Sequence, residues 1–109
     1  MAARRRRVVW SEQAAHALDD AVAYVAQDSV AAARRLLDEA LAAAASLDTL
    51  SERGAITPEI NDPAVRQFLI QRYRLLYEVA NEGVHVLAFL HRRQDVTAWR
   101  RAPSSPSAG

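Results

Sequence analysis

The chain has 109 residues, half of them hydrophobic and a quarter charged. That is the balance of one globular domain with a modest core, and too apolar for a disordered chain. It contains no cysteine, which excludes disulfide scaffolds, thiolate-held zinc, iron–sulfur clusters and thiol nucleophiles. No apolar run approaches the roughly 18 residues needed to span a bilayer, and Val8-Val9-Trp10 is far too short for a signal-peptide core, so the expectation is a cytoplasmic protein with no membrane partner. The net charge of +1 hides a bias: all fourteen basic residues are arginine. A GC-rich genome accounts for that and for the many alanines, yet an all-arginine surface still offers planar, permanently charged forks suited to carboxylates, phosphates and bases.

Taken in chain order, residues 1–7 read as a flexible basic lead-in, with the single domain over 8–101. Val8-Val9-Trp10 is a short β-prone run, and Ser11 behind it is a good helix N-cap. Ala15, Leu18, Val22 and Val25 then recur at helical steps, predicting a helix over 11–26. Asp28-Ser29 supplies a break and a second cap, and Ala33, Leu36, Leu37, Ala40, Leu41, Ala44 and Leu47 predict a longer helix over 29–50. Arg34 with Asp38 and Arg35 with Glu39 have the spacing of ion pairs on its outer side. Small residues on both helices favour close packing as a hairpin.

Residues 51–64 are punctuated by Ser51, Gly54, Pro58, Asn61 and Pro63 and read as a loop. After it the period changes to two. Strands are predicted over 65–71, 73–80 and 83–91, with Phe68 and Ile70 alternating along the first, Tyr73, Leu75, Tyr77 and Val79 along the second, and Tyr73, Leu75 and Tyr77 toward the helices. Asn81-Glu82-Gly83 reads as a three-residue turn with Gly83 in a left-handed position. Val84 to Leu90 is apolar on both faces, as in a strand covered from both sides. The Pro/Ser-rich tail, 102–109, reads as disordered. The result is a small α+β domain of order β-α-α-β-β-β, an antiparallel sheet with a helical hairpin packed on one face.

Three places could carry chemistry. The run Arg4 to Arg7 suits phosphates, or it is a solvated approach to an edge strand. Arg74 should point to the sheet face opposite the helices; it is either used there or paired with Glu78 on the same face. His91-Arg92-Arg93-Gln94-Asp95 leaves the last strand, where ligands are often met and where a histidine has the pKa for acid–base work; the plainer reading is a strand running out into water with Arg93 and Asp95 paired. His16, His85 and His91 lack zinc-site spacing, and the three ungrouped glycines form no phosphate loop. No metal or cofactor is expected.

The segments "ALDDAVAYVAQDS", "AARRLLDEAL", "TPEINDPAVRQFLIQRYRLLYEV" and "GVHVLAFLHRRQD" occur in an order that resembles the ParE branch of the RelE/ParE toxin superfamily, from about Val8 to Asp95. The Pro-Glu of the loop, the Tyr-Arg strand and the terminal His-Arg-Arg are the most recognisable pieces. One departure is that Arg53 precedes Gly54, where the family commonly has Gly-Arg. The resemblance implies a twisted sheet under a helical hairpin, and a type II toxin that poisons DNA gyrase and is neutralised by a ParD-like antitoxin. Arg53, Arg72, Arg74, His91, Arg92 and Arg93 are then the candidates for binding target or antitoxin, promoter DNA being met only through the antitoxin. A RelE-type alternative is a ribosome-dependent, metal-independent mRNA endonuclease, for which Arg74, His91 and Arg92 are the catalytic candidates. A third is a non-toxic member acting only in an autoregulatory antitoxin complex.

Overall fold

The structure is a computed structural model and describes residues 6–101. Arg4 and Arg5 of the basic run and the tail 102–109 lie outside the described residues. The elements are β1 (Arg7–Trp10), α1 (Glu12–Ala26), α2 (Val30–Ala45), a single 3₁₀ turn (Ser46–Asp48), β2 (Ala55–Ile56), β3 (Val65–Ile70), β4 (Tyr73–Val79), β5 (Gly83–His91) and α3 (Val96–Arg101). They build one five-stranded sheet of order β1-β5-β4-β3-β2.

Both helices start where their caps demand. Ser11 and Ser29 are extended, and their hydroxyls accept from the Ala14 and Ala32 amides at 3.0 Å, each satisfying one of the orphan donors of a first turn. α2 ends at Ala45, short of the expected 50, because the chain tightens into the 3₁₀ turn while Ser46 Oγ donates back to the Ala43 carbonyl. On the outer face of α2, Glu39 accepts from Gln71 at 3.1 Å in place of the expected bond to Arg35.

The β-α-α-β-β-β order holds, with two additions and one correction. β2 is a two-residue edge strand inside the punctuated loop, and α3 follows β5. The sheet is mixed, not wholly antiparallel, because β1 lies parallel to β5, Arg7 beside Gly83 and Trp10 beside Val86. Gly83 makes that approach possible: a Cβ there would meet the Arg7 carbonyl oxygen at 3.0 Å. It does not take the left-handed conformation expected of it. Positive φ falls instead on Asn61 and on Gln71, at 57° and 56°. Two residues of the expected lead-in have defined places: Arg7 lies in β1, and the Arg6 amide donates to the Asp48 carbonyl.

The main core lies between the helical hairpin and one sheet face, where Leu18, Leu36 and Leu47 meet Ile70, Leu75, Tyr77, Val84, Val86 and Phe89. A smaller cluster covers the other face: Leu76, Ala88 and Leu90 pack against Val96 of α3, with Ile60 and Trp99 at its margin. This explains why β5 is apolar on both sides. Leu87 is an extra residue in β5, since Leu76 pairs with Ala88 but Tyr77 pairs with Val86. This bulge changes the phase of β5, so that Val86 and Phe89 both face the helices.

Candidate functional site

The tight β3–β4 turn and the register of β4 on β5 bring one group of side chains to the same end of the sheet. Tyr73 pairs with His91, and the Arg92 amide donates to the Arg72 carbonyl at 2.7 Å, extending the ladder by a rung. Arg72, His91, Arg92 and Arg93 therefore line one depression of about 530 Å³. The three arginines are exposed and His91 is half-buried. His91 is held in place: its Nδ1 accepts from the Arg93 amide at 3.2 Å, and its own amide donates to Gln94 Oε1 at 2.8 Å. Its ring stands edge-on to Tyr73, centroids 5.5 Å apart. An Nδ1 that accepts leaves the proton of the neutral ring on Nε2. Asp95 caps α3, its Oδ1 accepting from the Thr97 amide at 2.9 Å.

Arg74 lies elsewhere. Being next to Tyr73 in the strand, it points to the opposite face, where it is only 8% exposed. Its Nη2 and Nη1 donate to the two Glu59 carboxylate oxygens at 2.9 and 3.1 Å, and its Nε and Nη2 donate to Gln67 Oε1 at 3.1 and 2.6 Å. The hydrogen bonds from Arg74 hold the Glu59 carboxyl below its ordinary range, against the opposing effect of desolvation. The ion-pair partner is thus Glu59 and not Glu78. Four residues along a strand separate same-face neighbours by about 13 Å, too far for the expected pair, whereas the Thr57–Asn61 turn folds Glu59 over the sheet.

Arg53 is the third location. Its guanidinium lies over the Phe68 ring, 5.1 Å from the centroid, and donates to Ser46 Oγ at 2.8 Å. Beside it the Gly54 amide donates to the buried Tyr77 hydroxyl at 2.9 Å, and burial raises the pKa of that phenol. Of the six candidates, the fold unites Arg72, His91, Arg92 and Arg93 and leaves Arg53 and Arg74 apart, each in its own contacts.

Two features carry no sequence signal that would have marked them. Glu59 and Gln67 stand apart in sequence from Arg74, and no spacing rule joins them to it. The other is a groove of about 500 Å³ adjoining the basic depression, between α1 and the ends of β4 and β5, in which Tyr24, Tyr73, Phe89 and Trp99 come together. Among the described residues no cluster of metal-ligating side chains occurs, and no helix is long and apolar enough to cross a membrane.

A helical hairpin packed on a five-stranded mixed sheet with a basic end defines a small α+β module. Ten solved chains match it. One is from the chromosomal ParDE TA system of P. aeruginosa, with a TM-score of 0.66 and 18% identity over 82% of this chain and 98% of that one. No curated protein matches by sequence. Residues 8–96 match the ParE toxin of type II toxin-antitoxin system, parDE. The chain belongs to the ParE toxin family.

Proposed function

We propose that this ParE-type toxin arrests growth by poisoning DNA gyrase, and that a ParD-like antitoxin neutralises it. The observation that carries the reading is the condition of Arg74. An mRNA endonuclease built on the candidates Arg74, His91 and Arg92 needs cation and acid–base group converging on one phosphate. Arg74 instead has its donors matched by Glu59 and Gln67, on the face away from His91. What remains free for a partner is the exposed basic end, Arg72, Arg92 and Arg93 around His91. That surface suits recognition by charge and shape more than phosphodiester chemistry, and it is also the complement of an acidic antitoxin segment that orders on binding.

Supercoiling by purified gyrase with increasing toxin tests the reading, alongside Arg93→Ala. The expected result is loss of supercoiling with accumulated cleaved DNA, weakened several-fold in the variant. Unimpaired supercoiling by folded, growth-arresting protein would sink it and transfer the assignment to ribosome-dependent mRNA cleavage.

A further inference from the structure

We propose that the aromatic groove and the arginine depression together form a binding site for single-stranded DNA, bases in the groove and phosphates on the arginines. The groove offers ring faces. Phe89, only 3% exposed, backs the half-buried Tyr73 with ring centroids 5.0 Å apart and planes 13° from parallel, so Tyr73 is the ring that the floor presents. Tyr24 stands on the α1 side with 69% of its surface exposed, and Trp99 of α3, partly packed against the second cluster, also lines the groove. Every base has a π-face, so such a set of rings accepts successive bases whatever the sequence.

His91 lines both the groove and the depression, so the two are continuous. A strand with its bases among the rings would bring its phosphates toward Arg72, Arg92 and Arg93. Arginine forks match phosphate oxygens and also stack on bases. Charge within the groove decides between occupants. Asp20 lies on its α1 wall and is exposed. An acidic peptide long enough to fill both parts would set its carboxylates against Asp20. An exocyclic amine of a base would donate to it, as cytosine N4 does to acidic side chains elsewhere. The choice of DNA over RNA rests on the gyrase reading, in which the toxin meets a cleaved duplex with strand ends to offer.

The test is anisotropy of end-labelled hexamers, (dC)₆ and (dT)₆, with the full chain and no gyrase, so its outcome is independent of the supercoiling assay. Binding should weaken with salt with a log–log slope of about −2, three arginines each displacing counterions from a single strand. Arg92→Gln with Arg93→Gln should reduce that slope to below about −1 in magnitude. Tyr24→Ala, at an exposed site, should weaken both oligomers about fivefold or more. (dC)₆ should bind about fivefold tighter than (dT)₆, and Asp20→Ala should remove that preference while leaving (dT)₆ unchanged or tighter. Binding that responds to the arginines alone overturns the proposal, because it is then unspecific attraction. A hexaglutamate peptide displacing (dC)₆ at lower concentration than unlabelled (dC)₆ makes the site a peptide groove instead. Tighter binding of (rC)₆ by more than about threefold assigns it to RNA.

Discussion

Arg74 enters the interior of this small domain because Glu59 and Gln67 take its donors as it loses water. The pair is bidentate, but the Glu59 side chain keeps 37% of its surface in solvent, so its contribution is well below that of a fully enclosed pair. Glu59→Gln should cost about 1 kcal/mol in a urea melt at neutral pH, since an amide still accepts one bond. The pH dependence follows from the lowered pKa of Glu59. Its contribution is fully present above the ordinary value of 4.5 and is lost as pH falls through the lower folded value. The stability gap between wild type and Glu59→Gln should therefore be constant at neutral pH and narrow below 4.5. Gly54 is governed by space, since its φ is not positive. A Cβ there would stand 2.6 Å from the Gln67 carbonyl oxygen and 2.7 Å from the Tyr77 hydroxyl, both held in the sheet. Gly54→Ala should destabilise by about 2–3 kcal/mol through overpacking. Tyr77→Phe, which only leaves the Gly54 amide without its acceptor, should cost about 1–2 kcal/mol. Thermal melts that rank the two the other way would mean that the loop yields to a methyl group.

The helices and strands also differ in how much depends on one side chain. Ser11 and Ser29 cap α1 and α2 identically, but only Ser11 Oγ also reaches the Leu87 carbonyl, at 3.2 Å. It thus ties the start of α1 to the bulge in β5. Ser29→Ala should cost about 1 kcal/mol, as an ordinary cap does, and Ser11→Ala about 1 kcal/mol more, because the bulge carbonyl loses its donor. Equal costs in equilibrium unfolding would show that water replaces the serine at the bulge. Both caps, the helical stripes and the alternation of β4 were legible in the sequence, because each is a local pattern of residue types. The pairing of β1 was not, since four residues of edge strand carry no mark of direction or neighbour. β2 was hidden by its length of two residues, and α3 by having fewer than two full turns in which to show a period. The expected left-handed glycine at 83 failed for a physical reason: a strand passing close by also requires a residue without Cβ, and sequence does not separate the two demands. At the candidate site, Arg72, His91, Arg92 and Arg93 were legible because a hairpin brings its own ends together. Glu59 and the groove aromatics were not, because long-range packing joins them.

Across the whole molecule, a net charge of +1 conceals a division of surfaces. α1 carries acids and no arginine, and α2 carries both, whereas the end of the sheet gathers three exposed arginines with no acid in the lining of their depression. Such a concave basic surface raises the local potential and speeds encounter with an acidic partner. If the ParD-like antitoxin covers this end, it neutralises the toxin by occupying the surface through which the toxin meets its target, and one pair of substitutions reports on both. Arg92→Glu with Arg93→Glu should lower antitoxin affinity at least about tenfold near 0.1 M salt. The loss should come mainly from slower association, and should shrink as salt screens the field. The same variant should need more protein to stop supercoiling. Antitoxin affinity left intact with gyrase inhibition lost would place the antitoxin elsewhere, on the helical hairpin where Val30 and Leu41 are exposed. Neutralisation would then act through the fold rather than by covering the basic end. Surface-plasmon resonance across a salt series, run beside the supercoiling assay on the same preparations, separates the two arrangements.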